Sequence, residues 1–526
     1  MPRVMLPPSV RRLLSKLYAV WLAEGADGYL TGGFLRDLLL DRTVRDIDVA
    51  LSGDAPALAR LAADAVGGHC FALDEERGIT RIVLPAGAPV AYVDVTRLRG
   101  DIESDLAERD FTIDAMALPL AVVARRTPQP LVDPFAGTQD VKGRIVRVVG
   151  DGVFRSDGLR LLRAARLCAE LDFFLDADTA ALIQRDAACI DSVAPERKRD
   201  ELARILATER AAPSLRSLDG LGLLEPLLPE VTACRGVSQP KEHYWDVFDH
   251  LIETVAALDF MLVESEPAGE REAAFWRELR QQLAWLPAAR PHLREETVEG
   301  RPRSALLKLA GLLHDIGKPE TKAPDSTGRV RFIGHMALGA DKASAVMRRL
   351  RFSAAETRLV TTIVEQHLRP GQMSSSGPPT PRALYRFFRD TGDAALDILF
   401  LMLADNLAAR GPRLRFASWR GNVSFMNYIL ARHYLEEQPV TRARLVTGDD
   451  VMADLSIRPG PLVGRLLAAI EEAHALGEVS TREEALALAR RLFAAAPVSS
   501  KAAQVETRTA QRRLNGRRER KDQGGA

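Results

Sequence analysis

Alternating, strand-like runs are confined to the part of this chain before Gly150, and that asymmetry is what most restricts its fold. Ile47–Leu51, Thr80–Leu84 and Val90–Val95 read as strands, and Tyr29-Leu30 as the end of a short one. Helical spacing covers Leu13–Ala23, Phe34–Leu40 and Ala55–Ala65, with Gly32-Gly33 as a tight turn into the second of these. Beyond Gly150, apolar residues recur every three or four positions, as in Leu159–Leu171 and Glu201–Glu209. The expectation is a small α/β head followed by an almost wholly helical body. At 526 residues the chain is too long for a single core.

Composition narrows the class. Hydrophobic residues at 46% and charged residues at 27% are those of an ordinary globular protein. No apolar run approaches the roughly 20 residues that cross a bilayer. The first twenty residues alternate charged and apolar positions and do not read as a signal peptide. Cys70, Cys168, Cys189 and Cys234 are scattered without a C-x-x-C pair, which fits a reducing cytoplasm. The net charge is +1, yet arginines cluster between Arg155 and Arg216 and again after Ser499, where local basic surface can hold phosphates. Ser374–Pro381 reads as a loop, and the polar, basic segment 498–526 as a disordered tail.

The richest segment runs from Tyr29 to Ala50. Asp46 and Asp48 flank Ile47 in a strand, so both carboxylates face one way and Ile47 the other. Two such acids repel unless a cation lies between them, as two-metal phosphoryl transfer requires. Asp94, in Ala91–Val95, supplies a third acid from a strand able to lie alongside. The Gly32-Gly33 turn opens a helix bearing Arg36 and Asp37, where backbone amides and Arg36 can cradle a triphosphate. A lone D-x-D is common on surface strands; the whole set within about twenty residues is far more restrictive.

Taken together, G-G-F-L-R-D and D-I-D-V-A resemble the head of the tRNA nucleotidyltransferase and poly(A) polymerase family, within the DNA polymerase β-like superfamily. Asp105–Ala117 (D-L-A-E-R-D-F-T-I-D-A-M-A) is similar to a family segment that holds the ribose of the incoming nucleotide. The resemblance implies that role for Arg109 and Asp110, with Asp114 beside them. Glu108 stands where the family usually has Arg, and Asp114 where it has Asn, exchanging an amide donor for acceptors only. F-R-S-D-G-L-R-L-L-R-A-A-R-L resembles the segment that reads the incoming base, which implies that Asp157 and Arg160 form a protein template, with Arg163 and Arg166 in the nucleotide site. A carboxylate accepts from an exocyclic amine and a guanidinium donates to ring nitrogen or carbonyl, which suits C and A. The residues between Arg99 and Asp105 are only Gly-Asp-Ile-Glu-Ser, where CCA-adding members carry a longer loop; this favours CC addition.

Further on, H-Y-W-D-V-F-D-H, L-L-H-D-I-G-K, I-G-H-M, E-Q-H-L and L-A-D-N together resemble an HD domain. The implied metal ligands are His250, His314, Asp315 and Asp405, with His335 and His367 where members holding a second metal place extra histidines. Imidazole–carboxylate sets suit a divalent transition metal or Mg²⁺, and the implied chemistry is attack of metal-activated water on a phosphate ester. Arg444–Asp450 and Ile457–Pro461 resemble the C-terminal, acceptor-stem-binding segment of many bacterial members.

The sequence therefore leads us to expect a cytoplasmic enzyme that adds C, and in the wider reading A, to tRNA from CTP and ATP with Mg²⁺ at the head, and with no membrane association. The expected division is a nucleotidyltransferase head at 1–145, a helical neck at 146–238, an HD domain at 239–420 with an insertion near 264–303, a helical region at 421–497, and the tail. Two alternatives stay open: a poly(A) polymerase, and an HD phosphohydrolase whose head only binds RNA.

Overall fold

The computed structural model describes residues 3–44, 46–74, 78–283, 285–298, 300–373, 378–414, 416–431 and 444–495. The basic tail and residues 374–377 of the expected Ser374–Pro381 loop lie outside the described residues.

Helix α1 (Pro8–Ala23) starts at a proline and buries Val10, Leu14, Leu17 and Trp21 along one face. The head sheet follows. Its strands are β1 (Gly28–Thr31), β2 (Asp46–Leu51), β3 (His69–Asp74), β4 (Ile79–Val83), β5 (Tyr92–Arg97) and β6 (Ala117–Pro119). The spatial order is β3-β4-β5-β2-β1-β6, with β2 and β5 parallel and the other neighbours antiparallel. Helix α2 (Gly33–Leu39) leaves the end of β1. Helix α3 (Ala55–Val66) is capped by the Asp54 side chain, ends at left-handed Gly67 and packs on the sheet. The strand expected at Val90–Val95 begins later, at Tyr92, because Pro85–Val90 is used to turn the β4–β5 hairpin, with Gly87 at positive φ. In place of a loop after Arg99 there is a short helix, α4 (Ile102–Ala107), capped by the Asp101 carboxylate on Ser104 N–H.

The body is helical, with one correction to the expectation that strands vanish after Gly150. Phe174–Leu175 pairs with Ile145–Val146, Glu296–Val298 with Arg301–Pro302, and Lys322–Pro324 with Val330–Phe332. Pieces this short have no alternation to detect. Helices α5 (Leu159–Leu171) and α6 (Pro195–Ala207) pack together below the head. Then come α7 (Val247–Leu262), α8 (Arg303–Leu313), α9 (His335–Arg349), α10 (Ala354–Gln366), α11 (Pro381–Thr391) and α12 (Ala395–Arg410). All of α8 except Ser304 is buried, which places it at the centre of the bundle. The expected insertion folds as two helices, Glu270–Gln282 and Leu286–Arg294. It is tied to α12 by His292, whose Nε2 lies 3.1 Å from the Asp397 carboxylate, which Arg303 also holds.

One apolar cluster runs from Val4 to Leu430, and a separate one fills the three C-terminal helices around α13 (Pro461–Ala475). Ion pairs join the two parts: buried Glu472 on α13 receives Arg382, Arg386 and Arg389 of α11 at 3.1, 2.9 and 3.5 Å.

Candidate active site and metal centre

The pleat puts the head acids where the sequence expects them. Ile47 is fully buried, and Asp46 and Asp48 open onto a cleft of about 870 Å³ between the head and α5. Across the sheet, Thr31, Asp48, Asp94 and Arg81 stand opposite one another on β1, β2, β5 and β4. Gly32 sits at φ 74°, ψ −157°, a region essentially closed to other residues. A Cβ there would lie 2.4 Å from Asp48 Oδ2 and 3.2 Å from Arg109 Nη1, so the turn touches the acid directly. Burial pushes the Asp48 carboxyl up to about 7; Arg109 opposes this, and the charges of Asp46 and Asp94 add to it. Carboxylates gathered in this way, short of compensating positive charge, fit a hard divalent cation with oxygen ligands.

Asp94 departs from the simple expectation. It is buried, does not line the cleft, and gives both oxygens to Arg81, at 2.8 and 2.7 Å.

The other expected nucleotide residues line the same cleft: Gly32, Gly33, Arg36, Arg109, Asp110, Asp114, Asp157, Arg160, Arg163 and Arg166. Arg109 donates to Thr31 Oγ1 at 2.8 Å. Asp110 is held 3.1 Å from Arg163 Nε; burial alone would raise its carboxyl, but Arg163 and Arg160 bring it below the ordinary range. Arg36 is bound by Asp114 at 2.7 Å and Asp37 at 2.9 Å, so two residues expected to meet the nucleotide separately form a pair here. Arg166 is buried against Glu201 at 3.2 Å. Asp157 accepts two hydrogen bonds from Arg197 of α6, at 2.9 and 3.3 Å. Arg160 donates to the Glu108 carbonyl at 2.8 Å and to Ser156 Oγ at 2.9 Å. Glu108, at the family's arginine position, forms a 2.7 Å pair with Arg99 that spans α4. Arg81 carries no signal in the sequence, and Arg197 stands there only as one of the clustered arginines, because their partners are met across strands and between helices.

The helical body builds a second centre. His250 comes from α7, His314 and Asp315 from the end of α8, His335 from the start of α9, His367 from the end of α10 and Asp405 from α12. Ligand atoms of His250, His314 and Asp405 lie within 4.8 Å of one another, as do those of His314, Asp315 and His367. His250 Nε2 is 3.0 Å from Asp405 and His314 Nε2 3.2 Å from Asp315, while His335 and His367 approach the other Asp315 oxygen at 3.5 and 3.8 Å. The ring orientation is fixed from behind: Nδ1 of His314, His335 and His367 meets the carbonyls of Gly311, Phe332 and Val364 at 2.8, 2.6 and 2.6 Å. Both His250 nitrogens, His314 Nε2 and Asp315 Oδ1 are buried without a hydrogen-bond partner. Buried polar atoms left this way fit a divalent ion with mixed nitrogen and oxygen ligands. Burial would raise Asp315 and Asp405, but the histidines, with Lys318 beside Asp315, hold both well below the usual carboxylate range.

Two further side chains adjoin the cage. Lys318 Nζ lies 2.5 Å from Asp315, an i,i+3 relation that was legible in H-D-I-G-K. His243 packs edge-on to His250 at 5.3 Å and lines a cleft of about 450 Å³ with Asp315, His335, His367 and Asp405, and its burial lowers it to about 4.

Comparison with known proteins matches family domains along the chain. Residues 28–147 match the poly A polymerase head domain, 172–235 the probable RNA and SrmB-binding site of polymerase A, and 280–410 the HD domain. An A-adding tRNA nucleotidyltransferase of Deinococcus radiodurans is 36% identical, the match covering 88% of this chain and 94% of that one. A CC-adding tRNA nucleotidyltransferase of Thermus thermophilus is 33% identical over 88% and 92% of the two chains. The Thermotoga maritima CCA-adding enzyme, solved with tRNA, shares the fold with TM-score 0.56 at 19% identity, over 93% of this chain and 97% of that one. Among the described residues no helix is long and apolar enough to cross a membrane. Sequence identity along nearly the whole length of these relatives, joined to a polymerase-type acid strand and an HD cage in one chain, shows that this protein belongs to the tRNA nucleotidyltransferase family.

Proposed function

We propose that the protein adds C residues to the 3′ end of tRNA in the cytoplasm, taking them from CTP and releasing pyrophosphate. The observation that carries this reading is one cleft holding the acid strand, the ribose-facing Arg109 and Asp110, and the base-facing Asp157 and Arg160. Mg²⁺ ions held by Asp46 and Asp48 would supply the Lewis acidity that activates the attacking hydroxyl and neutralises the departing pyrophosphate. The tRNA 3′-oxygen forms a bond to the α-phosphorus as the α–β bridge breaks. Asp94, held by Arg81 beside Asp48 and outside the cleft lining, helps orient that hydroxyl only through Asp48 next to it. Arg36 and the Gly32-Gly33 turn steady the triphosphate, with Arg163 and Arg166 alongside; Arg109, Asp110 and Asp114 select the ribose. Asp157 accepts from the amine of C or A, and would face a carbonyl in U or G, which disfavours both.

Relatives named A-adding and CC-adding match at similar identity. The short α4 segment, closed by Arg99 and Glu108, favours CC. The domain division at 145, 238, 420 and 497 is part of the same proposal. Incubating the protein and a tRNA lacking its 3′ CCA with each triphosphate separately tests the reading. Two residues added from CTP and none from ATP are expected; a long ladder from ATP identifies a poly(A) polymerase, and one residue added from ATP to a tRNA ending in CC identifies an A-adding enzyme.

The caged histidines favour a second activity, hydrolysis of a phosphate ester, such as a 2′-phosphate or cyclic phosphate at an RNA end, by water on a transition metal or Mg²⁺. Hydrolysis of a 2′,3′-cyclic nucleotide that persists in Asp46→Ala and is lost in Asp315→Ala is the expected result. No turnover with any added divalent ion would leave the cage a structural site.

A further inference from the structure

The acid row of the head carries a cation of its own. Arg81 on β4 faces Asp94 across the sheet and binds it at two points, Nε to Oδ1 at 2.8 Å and Nη2 to Oδ2 at 2.7 Å. Its guanidinium is fixed in turn over the ring of Tyr92, 4.6 Å from the centroid, two residues before Asp94 on the same face of β5. The pair is sheltered, with the two side chains 24% and 10% exposed. Register alone would bring Asp94 up beside Asp48. Yet among the described residues, the sets of three ligand atoms that converge within 4.8 Å all belong to the histidine cage, and Asp46, Asp48 and Asp94 are not such a set. Asp94 is also absent from the lining of the cleft that Asp46 and Asp48 share.

Resting on the reading that Asp46 and Asp48 hold the head's divalent ions, we infer that Arg81 is a positioning residue that keeps Asp94 out of the metal's coordination. The head then binds its ions through two carboxylates, and more weakly than three would. Asp94 is fixed in orientation by the fork and supports Asp48 from the neighbouring strand. A planar fork is needed for this: Lys in place of Arg81 would keep the charge but hold one oxygen only.

The test is Mn²⁺ titration of the full-length protein followed by electron paramagnetic resonance. Each protein is compared with a version carrying Asp46→Asn and Asp48→Asn, so that the difference isolates the head from the histidine cage. Arg81→Gln should tighten head binding about ten-fold, since an unpaired carboxylate beside a divalent ion adds a full charge at short range. The effect should need Asp94: Arg81→Gln with Asp94→Asn should fall within about three-fold of wild type, and Asp94→Asn alone likewise. The Mg²⁺ concentration for half-maximal CTP incorporation should fall in Arg81→Gln, which a merely structural loss would not produce. Should Arg81→Gln fail to fold, Arg81→Lys is read instead, with a smaller shift in the same direction. Unchanged affinity in the Arg81 variant that folds overturns the inference, as does a ten-fold loss in Asp94→Asn alone. A wild-type head that binds no more Mn²⁺ than its doubly substituted counterpart would defeat the metal reading itself, a separate outcome.

Discussion

Gly32→Ala separates the strain in the glycine turn from its contact with the acid. Alanine at φ 74°, ψ −157° costs about 1–3 kcal/mol of backbone strain. For a head of this size that is a fall in melting temperature of roughly 2–10 °C. The new methyl would stand 2.4 Å from Asp48 Oδ2, where ordinary contact begins at 3.4 Å. The carboxylate must therefore retreat by about 1 Å, and displacement on that scale typically costs about 100-fold in rate. Gly25→Ala is the control, because Gly25 has a similar positive φ with nothing within 4 Å. It should lose some stability and no activity. Both variants would be assayed by CTP incorporation into tRNA lacking its CCA end, below their melting temperatures. Equal activity in the two alanine variants would refute the claim that the turn is closed because it touches Asp48.

Three further outcomes follow from the same geometry. The Asp48 carboxyl lies near 7, above its ordinary value, so its contribution to stability is full at acid pH and is lost as pH rises through about 7. A divalent ion at the head relieves that loss, so the Mg²⁺-induced rise in melting temperature, measured against the Asp46→Asn, Asp48→Asn protein, should be larger at pH 8 than at pH 6; equal increments contradict it. Asp315→Asn should strip transition metal from the purified protein, measured by mass spectrometry, while CTP incorporation changes by less than about three-fold; joint loss of both would mean that the two centres are not independent. Asp397→Ala leaves Arg303, 3% exposed, without its buried partner and should cost about 3–5 kcal/mol in denaturant unfolding; a loss below about 1 kcal/mol would show that Asp393 compensates.

Much of the site was legible because its residues are close in sequence or set by a simple period. Asp46 and Asp48 share a face through the two-residue repeat of a strand, and Gly32-Gly33 announces a turn that side chains resist. The ligand types of the HD cage were legible too, although its six members span His250 to Asp405. Less visible was anything that depends on pairing between distant segments. Strand His69–Asp74 went unrecognised because it is an edge strand whose solvent-facing residues include Phe71 and Leu73, which blurs the alternation. The residues after Arg99 read as a short loop, yet Asp101 caps a helix there.

By itself the sequence determined the α/β head with its helical body, the pair of acids on one strand face, and the inventory of metal-binding side chains. These follow from local period and residue chemistry. Only the tertiary structure decided which partner each charge would find. Arg81 takes Asp94, Asp114 takes Arg36, and Arg197 takes Asp157. The reason is physical: a charge entering a low-dielectric cleft must be matched by whichever opposite charge the fold brings within a few ångströms, and that choice belongs to strand register and helix packing rather than to sequence neighbours.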